Sequence, residues 1–407
     1  MAVVAGIDEA GYGPLLGPLA VSATAFRVPD EAAEADLWEL LRGAVARGAV
    51  RKSDRLRVAD SKKLHHGGAG IEPLERNVLP FLAALETQNG KRTTDPSATS
   101  SGPSGGTESG VQNAECRMRG AHGAPENAES GGARCPSALA VKSQIRNQKS
   151  EIRNRPAPSS CPQCLRDEPA ALEAIPENVE AFLRATHTPQ TDALSAYPWY
   201  RGKEQRLPRA AAPERIALGA NCLRDGLARA GAEFCMVRLE LLEAAEFSRE
   251  VTACNNKAQA LGRRVAALMR TLWEQFASEG LYLTVDKQGG RNDYEAFLLA
   301  NFYGCTLTRH CQSAERSRYT LRDGARRMQV TFEPKADSRH LPVALASMFS
   351  KYARELMVEM LNEFWRQRVP GLRPTAGYLP DGQRFLEEIE PARRAENIPI
   401  ELLRRCR

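Results

Sequence analysis

The sequence has 407 residues, 42% of them hydrophobic, which is enough for one domain with insertions or for two or three domains. Its net charge of +6 permits nucleic-acid binding without requiring it. No apolar run approaches the ~18 residues of a membrane span. No basic region precedes the first apolar run, so we expect no signal peptide, no membrane partner and a cytoplasmic protein.

The first predicted element is a short apolar strand at residues 3–7 that leads into two adjacent acids, Asp8 and Glu9. Gly11 and Gly13 follow at once, and glycine lets the backbone approach another molecule closely. Adjacent carboxylates repel each other, and a hard divalent cation relieves that repulsion. From residue types alone, a charged turn after an edge strand remains the alternative.

Four further features are predicted before residue 89. Residues 19–28 alternate as a strand, and the apolar spacing of residues 31–47 predicts a helix. The string Asp-Ser-Lys-Lys-Leu at residues 60–64 by itself predicts a polar turn or a helix N-cap. Residues 71–86 have the spacing of a second helix.

Residues 89–165 contain few large apolar side chains, which predicts a low-complexity disordered insertion. A basic tail that captures RNA or DNA is the alternative. Cys161 and Cys164 have metal-ligand spacing, but we expect no zinc because a second pair is missing. Residues 166–230 read as a helical insertion, in which the aromatic residues at 197–200 either pack under a loop or stack on bases.

The second half of the chain predicts a strand at residues 281–286 that ends in Asp286 before a glycine turn. A long helix begins near Pro342, since proline suits a first helical turn. Ser347, Lys351 and Glu355 recur every four residues on that helix and share one face. Without further context, such a pattern indicates a solvated polar face.

In this order, the motifs resemble those of the type 2 ribonucleases H. That family opens with a strand, Asp-Glu-Ala-Gly, one further residue, Gly, and then Gly-Pro, which residues 8–13 and 17–18 match. It also carries the string at residues 60–64, a strand-terminal acid like Asp286, and a run that aligns without a gap from residue 335 to residue 355. The resemblance covers residues 1–88 and 231–380.

The resemblance implies an α/β ribonuclease H-like fold with a mixed central sheet flanked by helices. A C-terminal helical extension and a long, partly disordered insertion complete the expected architecture. Residues 1–88 would form the first part of the catalytic domain. Residues 231–407 would form its second part together with the C-terminal extension.

The resemblance also implies metal-dependent endonucleolytic cleavage of RNA paired to DNA, with RNA–DNA hybrid or ribonucleotide-containing DNA as the partner. We expect the protein to be a monomer. Two Mg²⁺ or Mn²⁺ ions would activate water and neutralise the leaving oxygen. The implied catalytic metal ligands are Asp8, Glu9, Asp286 and Glu355. The implied substrate contacts are Gly11, Tyr12, Gly13, Ser61, Lys62, Lys351 and Tyr378.

The chain departs from the family pattern at several of these positions. Tyr12 stands where the family has a phosphate-binding arginine, and Glu355 stands where it usually has aspartate. After Tyr378, the usual threonine and histidine are Pro380 and Gln383. These changes bear on substrate preference more than on the fold. Two alternatives therefore stay open, a non-cleaving hybrid-binding protein and a nuclease with another nucleic-acid substrate.

Overall fold

The structure, a computed structural model, describes residues 1–48, 54–64, 70–93, 168–189, 191–201 and 204–406. Most of the predicted insertion at residues 89–165, with its cysteine pair, lies outside these residues. The described parts of residues 1–89 and 157–407 form one compact unit. Across them, no helix is both long and apolar enough to cross a membrane.

A mixed seven-stranded sheet forms the centre of this unit, with strand order β5-β2-β1-β6-β9-β8-β7. The inner strands β1, β6 and β9 are parallel to one another, and the other neighbours pair antiparallel. A separate pair, β3 and β4, is parallel. The strands are β1 (Ala2–Ala10), β2 (Leu19–Val28), β3 (Val45–Ala46), β4 (Leu56–Arg57), β5 (Glu233–Leu242), β6 (Leu281–Asp286), β7 (Thr306–Gln312), β8 (Ser317–Asp323) and β9 (Arg326–Glu333).

Helices cover both faces of the sheet, because the central strands are apolar on both sides. Helices α3, α6 and α10 contribute to the core on one face, whereas α7, α8 and α9 contribute to the core on the other. The helices are α1 (Leu37–Leu40), α2 (Ser61–Leu64), α3 (Glu72–Thr93), α4 (Glu168–Glu173), α5 (Val179–Ala185), α6 (Pro213–Arg229), α7 (Ala244–Cys254), α8 (Lys257–Phe276), α9 (Glu295–Asn301), α10 (Leu341–Arg366) and α11 (Asp381–Ala395).

The long helix α10 lies directly against β1 and β2. Gly6 makes the close approach possible, because a Cβ atom there would lie 2.3 Å from the main-chain nitrogen of Val343. Two buried hydroxyls fix the position of α10 on these strands. The Thr24 hydroxyl donates to the Pro342 carbonyl at 2.8 Å, and the Ser350 hydroxyl donates to the Asp8 carbonyl at 3.0 Å. Helix α10 is therefore placed against the carboxyl end of β1.

The predicted fold class, a mixed sheet flanked by helices with a C-terminal helical extension, is confirmed. The predicted helix at residues 31–47 is wrong. The Asp36 side chain accepts a hydrogen bond from the Trp38 amide, which delays the helix start to Leu37. The Leu56 amide then donates to the Ala44 carbonyl at 2.8 Å, so the chain leaves the short helix to form β3.

The aromatic residues at 197–200 pack inside the protein. Trp199 and Tyr200 are 5% and 1% exposed and belong to the core beneath α10. Their rings also contact each other, with centroids 6.0 Å apart. Of the two interpretations, packing is confirmed for these two rings, because buried faces cannot stack on bases.

A buried acid, Glu333, ties the end of β9 to the residues that precede α10. It accepts hydrogen bonds from Arg316 Nε at 2.5 Å and from His340 at 3.1 Å, and Arg339 lies 3.3 Å away. Burial opposes ionisation, but these donors and positive charges outweigh it and lower the pKa of Glu333 to about 2. The carboxylate thus stabilises the connection that leads into α10.

Glu333→Gln should therefore destabilise the protein in a pH-dependent way. A pKa lowered in the folded state gives stability that is complete above the unfolded value, 4.5, and is lost as the pH falls toward 2. We expect the variant to lose about 2–3 kcal/mol of unfolding free energy at pH 7 and almost none near pH 2, measured by urea denaturation. Glu315→Gln, an exposed neighbour, is the matched control. A loss of equal size at both pH values would contradict this role.

Candidate active site

Three of the predicted metal ligands come together at one edge of the sheet. Asp8 and Glu9 lie at the carboxyl end of β1, and Asp286 is the last residue of the parallel strand β6. The register pairs Ile7 with Val285, so the next residue on each strand is an aspartate. Parallel neighbours thus bring acids that are distant in sequence to the same place.

These three carboxylates repel one another in a poorly solvated setting. Burial, then the charges of Glu9 and Asp286, raise the pKa of Asp8 well above its usual value. Burial, then the charge of Asp286, raise the pKa of Glu9 to about 7 against the opposing charge of Lys62. Burial also raises the pKa of Asp286, although the Ala336 amide donates to its Oδ1 at 2.7 Å. The site thus favours bound positive charge.

Two serines lie behind Asp8. The Ser347 side chain hydrogen-bonds to the Asp8 carboxylate. Its hydroxyl oxygen is 3.0 Å from that of Ser61. Ser61 and Ser347 are 5% and 4% exposed, so both hydroxyls sit in the protein interior. The structure therefore places Ser61 next to the acids, and a direct substrate contact by its side chain stays a prediction.

Lys62 is exposed, and its positive charge acts on Glu9 and Asp286. A further acid, Asp337, lies close enough to raise the pKa of both of these carboxylates. Asp337 was not predicted as a site residue, although it lies in the run at residues 335–355 that carries the family resemblance. The string Lys-Ala-Asp at residues 335–337 is the sequence signal that could have identified it.

The segment from residue 11 to residue 17, here called the glycine loop, follows the paired acids. Tyr12 is 38% exposed, and burial together with the charge of Glu9 raises its pKa. The Leu15 and Leu16 amides both donate to the Gly377 carbonyl, at 2.8 and 3.2 Å. Tyr378, which follows Gly377 and is 46% exposed, therefore stands beside the glycine loop. Both tyrosines are accessible at this edge of the sheet.

Glu355 is engaged in ion pairs on α10. Its Oε1 atom accepts a hydrogen bond from Lys351 Nζ at 2.6 Å and a longer one from Arg354 Nη1 at 3.3 Å. The Glu355 and Lys351 side chains are each 16% exposed. The i, i+4 spacing of the sequence motif therefore produces an ion pair along the helix.

The donor set suits a hard cation, since carboxylate oxygens are the ligands that Mg²⁺ and Mn²⁺ prefer. In the side-chain arrangement of the described residues, however, no group of three or more acid, histidine or cysteine side chains is close enough to hold a metal ion. The residues thus fit a divalent cation in kind and in charge. Their assignment as metal ligands stays a prediction.

Comparisons with known proteins bear on the fold. No protein-family model matches this chain, and no curated protein matches it. Among solved structures, the chain is similar to ribonuclease HII in a PCNA:RNase HII complex from Archaeoglobus fulgidus (13% identity, TM-score 0.35, covering 99% of this chain and 93% of that one). It is also similar to ribonuclease H2 from Pyrococcus horikoshii OT3 (11% identity, TM-score 0.35, covering 99% and 92%), and to RNase H3 from Aquifex aeolicus (11% identity, TM-score 0.31, covering 98% and 70%). Similarities of this size leave the family open.

Removing one of the crowded carboxylates should stabilise the metal-free protein. Because the pKa of Glu9 rises to about 7 on folding, its ionisation lowers stability as the pH rises from 4.5 to 7. We expect Glu9→Gln to exceed the wild type by about 1–3 kcal/mol at pH 8 and by much less at pH 4.5. The measurement is denaturant unfolding in the presence of a chelator.

Glu34→Gln serves as the control, because Glu34 is an exposed acid outside this site. A variant that gains the same stability at pH 4.5 and at pH 8 would show that Glu9 does not experience the repulsion described here.

Proposed function

We propose that this protein is a metal-dependent endonuclease that hydrolyses the RNA strand of RNA–DNA hybrids. The observation that carries the proposal is the convergence of Asp8, Glu9 and Asp286 at the ends of neighbouring parallel strands, where their repulsion favours a divalent cation. The order of its sequence motifs, which resembles that of the type 2 ribonucleases H, supports the same activity.

The chain's own groups would bind and orient the substrate. The glycine loop is exposed to solvent at Tyr12. The peptide groups of this loop would contact the ribose 2′-hydroxyl, the group that distinguishes RNA from DNA. Lys62, whose charge already acts on the acids, would attract the phosphate to be cut. Tyr378 stands beside the loop and would stack against a sugar or base.

Asp8, Glu9 and Asp286 would hold Mg²⁺ or Mn²⁺, and Glu355 would join them once it is released from Lys351. The bound ions would supply an activated water and neutralise charge on the leaving oxygen. Without them, burial and mutual repulsion raise the pKa values of Asp8 and Glu9, so both carboxyls keep their protons to a higher pH than usual. Loading of the site therefore competes with protons and should improve as the pH rises.

A second candidate function is binding of RNA–DNA hybrids without efficient cleavage. One observation favours it: the Glu355 carboxylate is already neutralised by Lys351 and Arg354. If that pair persists in the complex, the site keeps a phosphate-binding surface and lacks its fourth acid. The two candidates differ in a single measurable property, the appearance of cleaved RNA.

The central test compares wild type and Asp8→Asn on an RNA–DNA hybrid, a duplex with one ribonucleotide, and plain DNA, each with Mg²⁺ or Mn²⁺. We expect the wild type to cut only ribonucleotide-containing strands. Asp8→Asn should slow cleavage at least ~100-fold, because a metal ligand matters at least as much as the groups that orient it. Binding of the hybrid should be retained.

Asp54→Asn, an exposed acid outside these motifs, is the control for the loss of one charge. Cleavage by Asp8→Asn at the wild-type rate would refute the assignment of Asp8. Tight binding of hybrid with no cleavage by the wild type would favour the second candidate.

Tyr12→Arg tests the substrate side of the site. Tyrosine brings no positive charge to the glycine loop, so we expect the arginine variant to bind hybrid about tenfold tighter, as for one hydrogen bond to a charged group. Its binding should also depend more steeply on salt, by about one phosphate contact. The measurement is a salt titration of binding to hybrid and to single-ribonucleotide duplex.

Tyr303→Arg adds the same charge at the most exposed tyrosine among the described residues and controls for net charge. Equal affinities and salt slopes for Tyr12→Arg and wild type would show that residue 12 does not face a phosphate.

A further inference from the structure

Two buried arginines from distant parts of the chain hold the glycine loop from inside the protein. Arg354 lies on α10, and Arg405 lies beyond the short helical turn Ile400–Leu402. They are 0% and 2% exposed, which is unusual for guanidinium groups. The predicted site residues do not include either of them.

Arg405 contacts both ends of the loop at once. Its Nη1 atom donates to the Gly11 carbonyl at 2.5 Å, and its Nη2 atom donates to the Gly17 carbonyl. Its main-chain amide donates to the Leu15 carbonyl at 3.0 Å. The adjacent Arg404 forms a β-bridge with Leu16. One residue thus fixes the beginning, the middle and the end of the loop.

Arg354 supports the same loop from the helix. Its Nη2 atom donates to the Ala376 carbonyl at 2.8 Å and to the Leu16 carbonyl at 3.4 Å. The loop lies so close that a Cβ atom on Gly11 would be 2.5 Å from Arg354 Cδ. Gly11 also has φ +86°, which favours glycine. Position 11 therefore requires glycine, because any side chain there would clash with Arg354.

This arrangement carries an electrostatic penalty. Burial and the neighbouring charge of Arg354 lower the pKa of Arg405 to about 9, with Glu243 as the opposing charge. The Arg405 guanidinium also lies 4.9 Å from the centre of the Phe247 ring. Packing alone would be served as well by an apolar side chain, which needs no desolvation of charge. What an apolar side chain cannot do is hold two carbonyls at a fixed separation.

We propose that Arg405 is a positioning residue for the candidate active site. It joins the two ends of the glycine loop and thereby presents the loop backbone to a ribonucleotide-containing strand. This inference rests on the proposed function. The planar guanidinium has donors in a rigid fork that spans two acceptors, whereas the single ammonium of lysine cannot reproduce that geometry. Arginine is therefore needed at this position for its shape as well as its charge.

The test compares Arg405→Lys and Arg405→Met with the wild type, and Arg404→Met is the matched control because that neighbouring side chain is exposed. We expect Arg405→Met to raise KM for hybrid about tenfold, with kcat within about threefold, because the loop binds substrate while Glu9 is held separately by β1 and β2. Arg405→Lys should have a KM between those of the wild type and Arg405→Met. Arg404→Met should match the wild type.

Hydrogen exchange gives a second measurement that does not depend on cleavage. The Leu15 and Leu16 amides are bonded to Gly377, so their protection reports the loop. In both Arg405 variants, the hydrogens of these amides should exchange at least ~10-fold faster than in the wild type. The exchange rates of the amides in the central strand β6 should stay unchanged. An Arg405→Met variant that fails to fold leaves Arg405→Lys, which keeps the buried charge, to decide the question.

The possible outcomes separate the two proposals. A wild type that cuts no hybrid, with faster loop exchange in the Arg405 variants, would refute the proposed function and show only that Arg405 holds the loop. A wild type that cuts hybrid, with Arg405 variants unchanged in KM and in loop exchange, would overturn the positioning role alone. Faster exchange throughout the protein, including β6, would also overturn it, since Arg405 would then be a general structural residue.

Discussion

The contact between α10 and β1 determines where almost every candidate site residue lies. From Gly6 to Gly11 an extended chain advances about 16 Å, and from Val343 to Arg354 a helix advances about 16 Å. Gly6 lies against Val343 and Gly11 lies against Arg354, so the strand and the helix run side by side over this distance. The hydroxyl of Ser350 is bonded to the Asp8 carbonyl between these points. A shift of α10 would therefore displace the acids, the glycine loop and Tyr378 together.

Two sets of buried acids in the described part of the chain have opposite environments. Glu75 is fully buried, and its carboxylate accepts hydrogen bonds from three main-chain amides, at 2.6 to 2.9 Å, and from the Tyr352 hydroxyl at 3.1 Å. Such a carboxylate is satisfied and stabilises the fold. Asp8 and Glu9 face other acids instead. Because the fold gains nothing from that repulsion, the contrast with Glu75 supports the proposal that these acids bind a cation.

Sequence reasoning located those elements whose signal is local. The alternation in β2 and the proline at the start of α10 each predict their element, and the family motifs indicate the acids at the ends of β1 and β6. The helix predicted at residues 31–47 was wrong because pairing of β3 with β4, a contact outside the window, overrides its apolar spacing. No local sequence pattern indicated a role for Arg405, since its partners, Gly11 and Gly17, lie almost 400 residues earlier in the sequence.

The pairing of Glu355 with Lys351 favours simple binding but is too weak to exclude cleavage. An ion pair between residues four apart on a helix contributes only about 0.3–0.5 kcal/mol when exposed, and a partly buried pair such as this one somewhat more. A divalent cation brings twice the charge of the ammonium that it would replace, and a phosphate group would give Lys351 a new partner. The exchange would thus leave each of the two side chains beside a partner of opposite charge. The pair lies on the same helix face as Ser347, which is one turn before Lys351 and hydrogen-bonds to Asp8.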